Sequence, residues 1–126
     1  MAIHCWDKIE REQLNPLVQR QAIHTERMTM SRLALKAGAM VPRHHHENEQ
    51  CTMMEAGRLR FIFDDGERIV AAGEVMQIPP HVPHGVEALE DSVALDLFAP
   101  RREDWIRGDD AYLRSATISV RDETAR

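Results

Sequence analysis

The chain has 126 residues, of which 43% are hydrophobic and 29% are charged, and its formal net charge is -5. This length fits a single domain, predicted over residues 1–126, and the composition is typical of a soluble globular protein. The negative charge argues against nucleic acid as a partner, because binding phosphates needs a basic surface. No apolar run approaches the roughly 18 residues of a membrane span, and the start lacks a secretory signal. We therefore expect a cytoplasmic protein without a membrane partner.

The first part of the chain predicts an amino-terminal arm followed by strands. Residues 1–16 favour a short helix or an irregular arm. Strands are expected near residues 17–23 and 28–35, within a barrel core that we place at about residues 17–100. Glycine and proline then recur at short intervals, which is typical of a β-sandwich or β-barrel rather than of alternating helices and parallel strands.

Alternating side chains predict further strands in the second half. In residues 58–63, Leu59, Phe61 and Phe63 share one face, and Arg60 lies on the other. A hairpin turn follows this strand. The other predicted strands are residues 67–71, 74–79 and 92–98.

The strand at residues 92–98 has two different faces. One face is purely apolar, with Val93, Leu95 and Leu97, whereas Asp96 and Phe98 lie on the other. After this strand, residues 101–107 predict a short helix that ends at Gly108. Residues 115–126 carry no strong signal.

Three consecutive histidines, His44 to His46, suggest a metal site. On an extended strand His44 and His46 point the same way, and Gln50 has the same parity. His84 follows a strand in a proline-stiffened turn and is the fourth candidate, with His81 as its competitor. Neutral imidazole suits zinc, nickel, iron, manganese or copper, so the divalent metal stays open. The alternative is a polar loop of surface histidines without function.

The segments around these histidines resemble the two motifs of the cupin superfamily. They are "GAMVPRHHHENEQCTMMEAG", from Gly38 to Gly57, and "GEVMQIPPHVPHG". The resemblance implies an all-β cupin jelly roll, also called a double-stranded β-helix, with the metal inside the barrel. Its implied metal ligands are His44, His46, Gln50 and His84. The sequence departs from the usual pattern, which has glutamate in place of Gln50, glycine in place of His81 and asparagine in place of Ala88.

A closer resemblance is to the KdgF family of pectin and alginate degradation. It rests on three histidines with a glutamine, on "IPPHVPHG", and on "DLFAPRREDW". Enzymes of that family convert the 4,5-unsaturated monouronate released by polysaccharide lyases into its linear keto form. The implied catalytic residues are Asp96, Phe98 and Arg102, with Asp96 as general acid/base. Arg102, and Arg60 if it faces inward, would bind the substrate carboxylate.

Each of these residues also has a purely structural interpretation. Asp96 can be a buried acid neutralised by an arginine, Phe98 can be plain core, and Arg102 can pair at the surface with Glu103 or Asp104. At the level of the whole protein, the alternatives are a cupin dioxygenase or other metal-dependent oxidoreductase, and a non-catalytic sugar- or metal-binding cupin. The resemblance further implies a homodimer.

Overall fold

The computed structural model describes residues 1–115. The part described contains ten strands, two short α-helices and one 3-10 helix at Trp6–Lys8. The strands are β1 (Glu12–Asn15), β2 (Val18–His24), β3 (Thr29–Leu35), β4 (Met40–His44), β5 (Glu49–Ala56), β6 (Arg58–Phe63), β7 (Gly66–Ala71), β8 (Val75–Ile78), β9 (His84–Ala88) and β10 (Ser92–Ala99). The α-helices are α1 (Glu103–Ile106) and α2 (Ala111–Arg114).

The strands form two antiparallel sheets. The larger has the order β1-β2-β3-β10-β5-β8, and the smaller has the order β4-β9-β6-β7. Inward-facing residues of both sheets share one core, which includes Leu35 from the first sheet and Phe61 from the second. This arrangement confirms the predicted all-β jelly-roll class, with two separate sheets in place of one continuously hydrogen-bonded barrel.

The amino-terminal segment is more ordered than an irregular arm. β1 lies within it and pairs with β2. The 3-10 helix before β1 is held against β2 because the side-chain amide of Gln21 donates to the carbonyls of Trp6 and Ile9. Both contacts use the outer face of the large sheet, so this segment adds to the sheet without reaching the cavity.

The carboxyl-terminal segment covers one end of the space between the sheets. We call residues 101–115 the cap. The predicted short helix is confirmed as α1, and Gly108 follows it with a φ of 81°, in the left-handed region. The Asn15 amide donates to the carbonyls of Leu113 and Ser115, which ties the cap to β1.

Residues 116–126, most of the tail without a strong sequence signal, lie outside the described residues. Within residues 1–115, no helix is long and apolar enough to cross a membrane. The helices there are only three or four residues long, and the strands carry the fold.

Candidate metal centre and cavity

Three histidines meet at the cap end of the cavity. His44 ends β4, His46 lies in the following turn, and His84 begins β9, which pairs with β4 so that His84 lies opposite His44. One nitrogen from each ring lies within 4.8 Å of the others. His45 and His81 are exposed and do not belong to this cluster. The strand pairing therefore gathers the three histidines expected from parity and spacing.

The three rings are oriented by backbone carbonyls. In each ring Nδ1 lies within hydrogen-bonding distance of a carbonyl two residues away along the chain, so it carries the proton and Nε2 keeps a lone pair. These contacts are His44 to Pro42 at 2.8 Å, His46 to Asn48 at 3.0 Å, and His84 to Val82 at 2.8 Å. A fixed Nδ1–H bond of this kind is typical of histidines that bind metal through Nε2.

Burial keeps these imidazoles neutral. Burial and the neighbouring His84 lower the pKa of His44 to about 3, against an opposing hydrogen bond to Pro42. Burial and the charge of Arg102 lower the pKa of His46 to about 4. Burial also lowers the pKa of His84. At neutral pH all three rings can thus offer a lone pair, which metal binding requires.

The orientation of Gln50 is compatible with a cation at this centre. Its amide nitrogen lies 3.0 Å from Thr52 Oγ1 and 3.4 Å from Asp96 Oδ1, which turns its Oε1 towards His46 Nε2 at 3.0 Å. A neutral His46 already donates through Nδ1, so two lone pairs face each other across this distance. His84 Nε2 is also buried without a hydrogen-bond partner among residues 1–115. The Gln50 oxygen and the free Nε2 lone pairs of the histidines are ligand atoms that suit a divalent metal ion.

Asp96 lies next to this centre, on the inward face of β10. It is 5% exposed. Thr52 Oγ1 donates to it at 2.6 Å and Ser31 Oγ at 3.5 Å, so hydroxyl and amide groups surround it instead of the arginine of the structural interpretation. Burial raises the pKa of Asp96 to about 6, although these hydrogen bonds oppose the shift. The carboxyl group is thus mainly ionised at pH 7 but is protonated much closer to neutral pH than an exposed aspartate.

Phe98 and Arg102 lie beside the histidines. Phe98 is 2% exposed and packs edge-on against His46, with 5.7 Å between ring centroids. The Arg102 guanidinium carbon lies 4.7 Å above the Phe98 ring. Arg102 is itself only 1% exposed and donates to both carboxylate oxygens of Asp104, at 3.0 and 2.8 Å. Arg102 is therefore a buried residue of the cavity, and Asp104, not Glu103, is its carboxylate partner.

Arg60 does not reach the cavity. It lies on the face of β6 opposite Leu59 and Phe61, which line the interior. Its guanidinium pairs with Glu87 at 2.7 Å and with Glu67 at 3.3 Å. The condition for its substrate-binding role, an inward side chain, is not met, because the alternation along β6 directs it outwards. We therefore leave Arg60 out of the site.

One departure from the usual cupin motif is His81, which stands where glycine is usual. Its φ is 66°, in the left-handed region that glycine adopts without steric cost. Its backbone N–H donates to the carbonyl of His46 at 2.8 Å, which fixes the turn against the histidine cluster. The backbone here keeps the glycine-type conformation although the residue is histidine.

The cavity is polar at the cap end and apolar at the other. Its volume is about 40 Å³, enough for roughly three water molecules. The lining residues are Leu33, Leu35, Val41, His44, Gln50, Thr52, Leu59, Phe61, His84, Val86, Ala94, Asp96, Phe98, Arg102, Trp105, Tyr112 and Leu113.

Sequence reasoning missed three polar or aromatic residues of this lining. Thr52 has the same strand parity as Gln50, which was an available signal. Trp105 and Tyr112 belong to the cap, where no periodicity assigns an inward face. Tyr112 packs on His44 with 4.5 Å between ring centroids, and its hydroxyl accepts hydrogen bonds from Arg102 and Trp105.

Residues 31–99 match the cupin domain family, and the chain belongs to that family. A comparison with curated proteins gave no match. The matched residues include all four proposed metal ligands as well as Asp96 and Phe98, whereas the cap lies beyond them.

Among solved structures the chain is similar to KdgF from Halomonas sp., with 29% identity and a TM-score of 0.76 over 82% of this chain and 99% of that one. An RmlC-like cupin from Shewanella frigidimarina has 24% identity and a TM-score of 0.77 over 83% and 96% of the two chains. Oxalate decarboxylase from Bacillus subtilis, described with Mn(II) centres, has 20% identity and a TM-score of 0.67 over 75% of this chain and 28% of that one. The last two similarities show the fold alone.

Proposed function

We propose that this cupin is a metal-dependent, isomerase-type enzyme that converts a 4,5-unsaturated monouronate, of the galacturonate or guluronate type, into its linear keto form. One observation carries the proposal: the Gln50 amide links the histidine cluster to Asp96, with its oxygen facing His46 and its nitrogen facing the carboxylate. The similarity of the whole chain to KdgF from Halomonas sp. supports the same substrate class.

The reaction needs one proton to leave an oxygen and one to reach a carbon. Ring opening breaks the bond between C1 and the ring oxygen: the C1 hydroxyl loses its proton and becomes the aldehyde, while the ring oxygen gains a proton and becomes the hydroxyl of an enol at C5. Loss of the enol O–H proton and addition of a proton at C4 give the ketone, so the net change is an isomerisation. A side chain that exchanges protons near neutral pH suits both transfers.

Asp96 is the residue suited to these transfers. Burial raises its pKa to about 6, so it can both accept and return a proton close to neutral pH. A divalent cation held by His44, His46, Gln50 and His84 would supply a Lewis acid and a template for substrate oxygens.

A glutamine at position 50 fits this arrangement better than the usual glutamate. A glutamate side chain in the place of Gln50 would bring a second carboxylate within about 3.4 Å of Asp96. Two adjacent carboxylates raise the pKa of one of them strongly. The neutral amide instead donates to Asp96 and leaves the charge of a bound cation uncompensated at this ligand, which favours an anionic sugar.

We expect the cap to move when this substrate enters. A cavity of about 40 Å³ is far smaller than the roughly 300–1,000 Å³ of pockets that bury small-molecule ligands. Arg102, Trp105 and Tyr112 close the space from the cap. In the occupied site we expect Arg102 to bind the substrate carboxylate and Phe98 to pack on the sugar and exclude water.

The test follows the loss of ultraviolet absorbance of unsaturated galacturonate and guluronate with metal-loaded protein. We expect the wild type to exceed the spontaneous rate, Asp96→Asn to lower kcat by about 10²–10⁴-fold, and Gln50→Ala to lower metal content as well. A wild-type rate equal to the spontaneous rate would overturn the assignment. Oxygen consumption by the metal-loaded protein would instead favour the dioxygenase.

The homodimer and the cytoplasmic location remain predictions. The outer face of the large sheet exposes Met53 and Val75, at 37% and 60%, and is compatible with a second copy of the chain. Light scattering of the purified protein decides the oligomeric state, and a monomer at micromolar concentration would contradict the prediction.

A further inference from the structure

Tyr112, in the cap, has a hydroxyl group with an unusual set of partners. Arg102 Nη2 lies 2.7 Å from the phenol oxygen and Trp105 Nε1 lies 3.2 Å from it. Guanidinium and indole N–H groups can only donate hydrogen bonds. The phenol oxygen therefore accepts twice, and both of its lone pairs are used.

The phenol hydrogen is left for a ligand. No residue among 1–115 accepts a hydrogen bond from Tyr112, whose side chain lines the cavity and packs on the His44 ring. A hydroxyl in a partly buried site is stabilised when it finds an acceptor. Because Tyr112 lines the cavity, a ligand bound there can supply this acceptor.

Arg102 offers a second donor beside this hydroxyl. Its Nε and one Nη2 hydrogen bind Asp104, and its other Nη2 hydrogen binds Tyr112. Asp104 thus occupies the fork that usually binds a carboxylate with two parallel hydrogen bonds. Within the described part of the chain, Nη1 has no acceptor, so its hydrogens can meet a ligand that already faces Tyr112.

We propose that the Tyr112 hydroxyl and Arg102 Nη1 together bind the carboxylate of the sugar acid, each donating to one of its oxygens. The inference rests on the proposed function and adds Tyr112 to the substrate-binding residues. A carboxylate fits because it only accepts hydrogen bonds and brings a charge to Arg102. A substrate with a neutral ester in this place offers the pair weaker acceptors.

The alternative is that Tyr112 only holds Arg102 in place. Binding measurements separate the two roles. The probes are galacturonate and its methyl ester, titrated calorimetrically into the metal-loaded wild type and into Tyr112→Phe, Arg102→Met and the double variant. If Arg102→Met does not fold, Arg102→Gln replaces it. Asn15→Ala is the matched control, because it releases the hydrogen bonds from Asn15 to Leu113 and Ser115 and leaves the phenol unchanged.

We expect Tyr112→Phe to weaken galacturonate binding at least about fivefold, and methyl ester binding less than about twofold, because the lost bond goes to a charged group. The loss for galacturonate should persist, at about threefold or more, in the Arg102→Met background. Asn15→Ala should change the affinities of the two probes by the same factor.

The proposal is overturned if the wild type does not prefer galacturonate to its ester, if Tyr112→Phe weakens both equally, or if its effect disappears in the Arg102→Met background. Because these titrations need no turnover, they fail independently of the proposed reaction. If the protein shows the Tyr112-dependent preference but does not convert unsaturated uronates, the carboxylate site stands and the proposed isomerase function is wrong.

Discussion

Arg20 and Arg102 are both buried, and each guanidinium carbon lies 4.5 Å from the ring centroid of Trp105, but their partners differ. Arg20 binds the carboxylates of Glu12 and Asp110, and its remaining nitrogen is sealed from solvent. Arg102 shares its donors between a carboxylate and a phenol and lines the cavity. Burial is therefore common to both arginines, and only the partners and the access to the cavity distinguish Arg102, the one that we propose to bind substrate.

The largest expected effect is on stability, in Arg20→Met. Removing one partner of a buried ion pair costs about 3–5 kcal/mol. We expect about 3 kcal/mol, the lower end of that range, because Arg114 still binds Asp110. Urea unfolding measures the loss. The KM of the folded variant should stay close to the wild-type value, and a large increase in KM would contradict the structural role of Arg20.

Arg102→Met should show the opposite pattern. Losing a hydrogen bond to a charged group costs about 1.5–3 kcal/mol, so kcat/KM for unsaturated galacturonate should fall about 10- to 100-fold. The loss of unfolding free energy should be smaller than in Arg20→Met, because the Asp104 side chain is 28% exposed and can be hydrated. If kcat/KM fell equally in Arg20→Met and Arg102→Met, the proposed difference between a structural and a substrate-binding arginine would be wrong.

Low pH should destabilise the fold by protonating Asp110, the buried partner of Arg20. Burial raises the pKa of Asp110, but hydrogen bonds from Arg114 and Arg20 outweigh burial and lower it overall. A carboxyl group with a lowered pKa in the folded state stabilises the fold above its unfolded pKa, and this stabilisation is lost as the pH falls through its folded pKa. Between pH 5 and about pH 3, wild type should therefore lose more unfolding free energy than Asp110→Asn. Equal losses would contradict the pairing.

The smallest effect is expected for Asp104→Asn. This partly exposed pair should contribute no more than about 1 kcal/mol to stability. Because the variant removes a negative charge beside Arg102 without touching its Nη1, KM for the uronate should decrease by a factor of about two to three. The change is read from steady-state kinetics. An increase in KM would mean that Asp104 positions Arg102 for the substrate.

The parts of the site on regular strands were predictable from sequence. His46, which parity also selected, lies in the turn between β4 and β5. Alternation along β10 correctly put Asp96 and Phe98 on one face, and His44 and Gln50 lie on β4 and β5. In these places side-chain direction follows from strand period, which the sequence displays directly.

The cap was not predictable in the same way. Tyr112 reaches the cavity because ion pairs and amide contacts between distant segments fix α2 against β1 and β2. Such contacts join residues about 90 positions apart, and no local sequence pattern predicts them. Arg60 shows the converse: its strand was predicted, but whether it faced inwards was open until Glu87 and Glu67 were placed beside it.

Deuterium labelling tests the central claim, conversion of an unsaturated uronate to the ketone, most directly. Metal-loaded wild type is incubated with unsaturated galacturonate in D₂O, and the early product is analysed by NMR. Delivery of the proton by a fixed group such as Asp96 predicts deuterium in one of the two positions at C4, formed faster than in buffer alone. A product that forms no faster than the spontaneous reaction, with deuterium distributed over both C4 positions as in the protein-free control, would contradict the account.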